Sequence, residues 1–311
     1  MVRVALFGKF RMSRPEGKPA CCHAAKVREL FSYLLLHRDR PQSREMLASL
    51  SWGDYCTTAQ SKKYLRKALW QLQADLRQFD ELAGCDFLHA EANWIELHSI
   101  TELWLDVAIF EIVYATVKGT PGHRLEDKDL RLLEQTVQLY TGYLLENWYQ
   151  DWCLADRERL HHLYLIMLDK LTSAHEVRHQ YEEALVYGEQ ILQYDRARER
   201  THQQIMRLYY QSGDRTSALR QYKHFVALLE EELDISPSRS TVALYEHIRE
   251  DRGRPVVTAP ATEGDLATGD VWAEVAHLRQ RLATLQQQVQ RIEKATEGIH
   301  GALYTSQNGQ C

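Results

Sequence analysis

The chain has 311 residues, 44% of them hydrophobic and 26% charged, with a formal net charge of −5. That length accommodates two or three domains with cores of their own, and the composition is that of a globular protein rather than a disordered or collagenous one. No apolar run reaches the roughly 18 residues of a membrane span, and the N-terminus lacks the apolar core of a signal peptide, so a cytoplasmic protein is expected.

Charge is unevenly divided. Residues 1–79 carry a net +9 and the remainder −14. A basic head on an acidic body points to a polyanionic partner for the head. Six cysteines, at 21, 22, 56, 85, 153 and 311, form no C-x-x-C pair, which argues against a disulfide framework or zinc ribbon.

The head opens with Val2, Val4 and Leu6 alternating with Arg3, Ala5 and Phe7, as in a half-buried strand. Turn chemistry in RPEGK, 14–18, predicts a hairpin between 10–13 and 18–22. Val27, Leu30, Phe31, Leu34 and Leu35 form the stripe of a first helix, which Pro41 ends. Ser43 is placed to cap a short second helix whose apolar residues are Met46, Leu47 and Leu50.

The third helix is expected over 57–78. Leu65, Leu69, Leu72 and Leu76 are spaced 4, 3, 4 and fall in a narrow arc. With Leu65 at zero, Lys63, Arg66, Lys67, Trp70 and Arg77 lie between roughly 100° and 200°, opposite the leucines. A large aromatic amid four cations is more than a solubilising surface, because a ring of that size left in water usually has something to touch. Residues 86–98 then read as strand, turn and strand, with Asn93 in the turn. Three helices followed by a hairpin is the order of a winged helix-turn-helix, whose third helix enters a DNA major groove.

The segments KVRELFSYLLLHRDRPQSREMLASLSWGD and YLRKALWQLQADLR resemble the OmpR-type winged helix that heads the bacterial antibiotic-regulatory activators, the SARP family. The resemblance implies double-stranded promoter DNA as partner. It assigns DNA contact to Lys63, Arg66, Lys67, Trp70 and Gln71, and the neighbouring cations Lys62 and Arg77 are taken with them. The wing departs from the family pattern, with Asn93-Trp94 and Glu91 where a Gly-Tyr pair and an Arg are usual, so no wing contact is carried over.

From about residue 101 the pattern is helical. YEEALVYGEQIL (181–192) and RTSALRQYKHFV (215–226) are offset by 34 residues, the period of tetratricopeptide (TPR) helix pairs. The stretch as a whole, LLEEELDISPS above all, resembles the bacterial transcriptional activator domain, which implies RNA polymerase as a further partner. Inside it, His175-Glu176-x-x-His179 spells the zinc-peptidase motif H-E-x-x-H. Aligning the repeats puts His179 in a turn and His175 near the end of the preceding helix, so the two imidazoles do not share a rigid face. Glu199 and His202 are the downstream candidates for a third ligand. No phosphate-binding loop or G-x-S-x-G is present, and the expectation is a non-enzyme without metal or cofactor.

Residues 251–270, rich in Pro, Gly, Thr and Ala, read as a linker of roughly 25 Å root-mean-square span. A heptad seam follows, with Val275, Leu282, Val289 and Thr296 at a and Leu278, Leu285, Ile292 and Ile299 at d. It predicts self-association, first as a dimer, with Ile at d also compatible with trimers and tetramers.

The expected fold class is mostly α with small β elements: a winged helix-turn-helix over 1–100, a TPR-like activator domain over 101–250, the linker over 251–270, and a coiled coil over 271–304. The expected function is a sequence-specific transcription activator binding promoter direct repeats as an oligomer. The alternative is a TPR-like scaffold whose winged helix binds protein.

Overall fold

A computed structural model describes residues 2–14, 19–20 (backbone), 24–53, 56–79, 87–97 and 103–250. The expected linker and heptad seam, with Val275, Leu278, Leu282, Leu285, Val289, Ile292 and Ile299, lie outside the described residues, as does most of the RPEGK turn.

The fold is mostly helical with two small sheets. Strands β1 (Val2–Ala5), β2 (Arg11–Ser13) and β3 (Pro19–Ala20) are antiparallel neighbours, with Val4 opposite Met12 and Met12 opposite Ala20. The alternation read from the sequence holds in β1, where Val2 and Val4 are buried and Arg3 is exposed. Helix α1 (Ala25–Leu36) buries the whole expected stripe, and also Tyr33 and Leu36. It packs against the two helices and the hairpin that follow. Strand β4 (Gln42–Ser43) leads into α2 (Arg44–Trp52), where Ser43 accepts the Met46 amide as N-cap. In α2 only Leu47 of the expected trio is fully buried, and Met46 and Leu50 are exposed. The helix is nine residues long and its inner face is filled instead by Ala48 and Ser51, small side chains that bring it close to α1 and α3.

Helix α3 (Thr58–Leu76) is followed by β5 (Leu88–Ala90) and β6 (Trp94–Leu97), which pair antiparallel, with β4 on the other edge of β6. This is the winged helix-turn-helix order. The next strand, β7 (Leu103–Leu105), lies parallel to β1, Val4 opposite Leu105. The first sheet therefore runs β3-β2-β1-β7, and a strand that follows the wing completes a sheet begun at the N-terminus.

Helix α4 (Asp106–Val117) starts without a break from β7. Its first residue, Asp106, is almost wholly buried and accepts the backbone amides of Leu6 (2.8 Å), Phe7 (2.9 Å) and Val107 (2.7 Å). Those donors hold the end of β1 against the helix. Phe7 then packs edge-on to Phe110 and against Tyr140. Gly8, with φ of 75°, turns the chain so that its amide reaches the Tyr143 carbonyl. Arg38, from the end of α1, donates to Glu111 of α4 at 2.6 Å.

Helices α5 (Asp127–Val137), α6 (Asp151–Val177), α7 (Tyr181–Tyr194), α8 (Glu199–Gln211), α9 (Arg215–Leu233) and α10 (Arg239–Glu250) pack in succession, each of α6 to α10 against the next. The 34-residue period is visible in the backbone. Helices α7 and α9 begin 34 residues apart, and Ala184 and Ala218, also 34 apart, are both fully buried at the crossings. The stack is TPR-like.

Candidate nucleic-acid interface

Helix α3 begins at Thr57, whose amide donates to the Gln60 side chain at 3.1 Å, closing the first turn. Leu65, Leu69, Leu72 and Leu76 are all buried, pointing at α1 and α2. Because these four take one face, the opposite face goes to water. Lys63, Arg66, Lys67, Trp70 and Arg77 are all exposed, with Trp70 at 68%. Counted from Trp70 the cations stand at i−7, i−4, i−3 and i+7, the helical spacings that surround it. The apolar stripe thus dictates the cationic face on its far side.

Two other residues expected to contact DNA, Gln71 and Lys62, lie off this face. Gln71 is half-buried on the flank. Lys62 is turned by roughly 80° from Trp70 and donates to Glu45, in the first turn of α2, at 2.7 Å. That hydrogen bond, with the ammonium charge behind it, lowers the Glu45 carboxyl below the usual carboxylate range.

The hairpin joins the start of α2. The Arg44 amide donates to the Asn93 carbonyl (2.9 Å), and the Arg44 guanidinium donates to the Glu91 carbonyl (3.0 Å). Trp94 pairs with Ser43 and is 51% exposed. The Glu91 amide donates to the Trp94 carbonyl and closes the hairpin turn, while Gln73 of α3 donates to the Leu88 carbonyl at 3.5 Å. Arg44 and Trp94 are half-exposed and exposed members of this corner that periodicity in α3 did not single out. For Trp94 the signal was its place beside a turn asparagine.

The H-E-x-x-H motif is divided by a helix end. His175 is in the last turn of α6, Arg178 follows it, and His179 has left-handed backbone with φ of 59°. His179 takes the place that Gly213 (φ 91°) takes one repeat later. The Gln180 amide reaches back to the His175 carbonyl and the Asp214 amide to the Tyr209 carbonyl, the same six-residue closure of a helix C-terminus in both repeats. The side chains are engaged separately. His175 is buried, with Nδ1 2.9 Å from Gln180 Oε1 and Nε2 2.9 Å from Glu134, the latter out of hydrogen-bond alignment. Glu176 accepts from Gln204, and His179 meets Tyr181. Glu199 accepts the Ser238 amide at the start of α10, and His202 is held between the Arg196 carbonyl and Gln221. Burial lowers the His202 pKa, keeping the imidazole neutral in that place. Among the described residues no cluster of three His, Cys, Asp or Glu side chains is arranged to hold a metal ion.

Residues 105–249 match the family model of the bacterial transcriptional activator domain. No curated protein matches the chain. Among solved structures, Mycobacterium tuberculosis EmbR in complex with a low-affinity phosphopeptide superposes with a TM-score of 0.61 at 19% identity. The superposition covers 92% of this chain and 71% of that one, a likeness of fold. Among the described residues, no helix is long and apolar enough to cross a membrane.

Proposed function

We propose that the chain, whose residues 105–249 match the bacterial transcriptional activator domain, is a SARP-like transcriptional regulator that binds promoter DNA through an OmpR-type head and activates transcription. Helix α3 lies in the major groove. Lys63, Arg66, Lys67 and Arg77 neutralise phosphates or reach guanine edges, and Trp70 packs on sugar or a thymine methyl. The observation that carries this is the open, aromatic-centred cationic face, with Trp70 at 68% exposure between exposed Lys63, Arg66 and Lys67. The heptads over 271–304 bring heads together on direct repeats, the linker gives them slack, and bivalency raises the effective concentration of the second head. The TPR-like stack presents a surface to RNA polymerase.

The test is a titration of the protein against promoter fragments at several salt concentrations. Replacing Lys63 and Arg66 with Ala weakens binding and flattens the slope of log K against log salt by about 0.9 for each phosphate no longer neutralised. An unchanged slope in the double variant, with folding intact, assigns the face to a protein partner instead.

A further inference from the structure

The cationic face has a counterweight beside it. Glu45 sits in the first turn of α2, and its carboxylate takes the Lys62 ammonium at 2.7 Å. The backbone before it is tethered, and its side chain has one partner. The preceding residue, Arg44, is bound through its amide to Asn93 and through its guanidinium to the Glu91 carbonyl, so α2 starts locked to the hairpin. The side-chain partner is Lys62, from α3. Both partners remain in contact with water, at 49% and 73% side-chain exposure, so neither has undergone the desolvation that would make the pair a structural anchor. Lys62 is one residue before Lys63 and one turn before Arg66, on the rim of the face that carries the proposed DNA contact. The arrangement does two things there. It occupies one cation of the rim, and it sets a carboxylate beside that rim.

We propose that Glu45 is a positioning residue that restrains DNA binding: it holds Lys62 off the duplex, so that the phosphate contacts come from Lys63, Arg66, Lys67 and Arg77 without it. This rests on the DNA-binding reading above. The restraint acts on the part of the affinity that is indifferent to sequence, since phosphate contact supplies essentially all of non-specific binding. By trimming that part it raises the weight of base contacts from the same helix.

The experiment uses the full chain and a random-sequence DNA duplex, titrated between about 50 and 200 mM salt. Glu45→Gln frees Lys62 while keeping the shape of the side chain. Binding at the low-salt end is expected to tighten about fivefold, and that advantage to shrink by about 3.5-fold at the high-salt end as one further counter-ion is released. The same advantage is absent from the Glu45→Gln, Lys62→Ala double variant. Lys62→Ala alone leaves the slope at its wild-type value, whereas Lys63→Ala flattens it by about 0.9. A pair that only braces α2 against α3 would lower the thermal midpoint and leave the salt slope where it was. Glu45→Gln with the wild-type slope, or a Lys62→Ala variant as flat as Lys63→Ala, overturns the proposal. A wild-type chain that binds no duplex at any salt overturns the DNA-binding reading and this inference with it.

Discussion

Asp106 is the residue on which the start of the fold turns. Its carboxylate accepts three backbone amides, yet burial prevails over those donors and pushes its pKa up to about 6. An unfolded aspartate titrates near about 3.9, so between about pH 4 and 6 the folded chain holds a proton that the unfolded chain has released. The contribution of this group to stability therefore falls as pH rises through that window, by on the order of 2–3 kcal/mol. Urea unfolding of Asp106→Asn across the same window is expected to show a flatter pH dependence than the wild type. Asp106→Ala, which leaves the buried amides of Leu6 and Phe7 without an acceptor, is expected to lose about 2–4 kcal/mol below about pH 4 and less above about pH 6, where the wild type has already given up part of that contribution. None of this was legible in the sequence. An aspartate at the start of a helix reads as a local cap, and its partners are about a hundred residues away.

At the scale of elements, the helix ends of the repeats make the sharpest comparison. His179 and Gly213 occupy the same left-handed position, where a Cβ costs roughly 1–2 kcal/mol and glycine costs nothing in sterics. Gly213→Ala is expected to destabilise the chain by about 1 kcal/mol, and His179→Gly to be neutral or stabilising by up to about 1 kcal/mol, both read from thermal unfolding. Loss of bound zinc on replacing His179 would be the signature of a metal site; the geometry predicts no metal to lose. The 34-residue offset is enough to reach this answer, because a turn in one repeat locates the turn in the other. Helix α3 was legible for a similar reason: its leucines recur every three or four residues, and burying them leaves Lys63, Arg66, Lys67 and Trp70 no other side. Helix α2 was not, because in nine residues Met46 and Leu50 fit an inward stripe as well as an outward one, and neighbours from α1 and α3 decide. The partner of Lys62 was not legible either, because its carboxylate, Glu45, is on another helix.

For the whole molecule, the sheet order sets a limit on what can be separated. Strand β1 lies between β2 and β7, and β7 comes after the wing, just before the matched activator domain. A fragment ending at residue 100 loses β7, Asp106 and the rings of Phe110 and Tyr140 that cover Phe7. Such a fragment is expected to give poorly dispersed amide resonances and no cooperative melt, whereas a fragment of residues 1–250 melts as one. The sheet thus runs across the boundary expected at residue 100, because β1 completes its pairing with β7 beyond it.

That junction also sorts the effects of ionic strength within one polypeptide. Arg38 keeps only 8% of its side chain exposed where it meets Glu111, and Asp106 and Phe7 are likewise shut away from solvent. Dissolved ions reach pairs of that kind poorly, while they screen lysines and arginines standing in open water within a Debye length of about 8–10 Å. A rising electrolyte concentration therefore screens the exposed cations of α3 before it weakens the hold of the winged head on its helical stack, and the proposed release from a duplex at high salt is expected to leave the body folded.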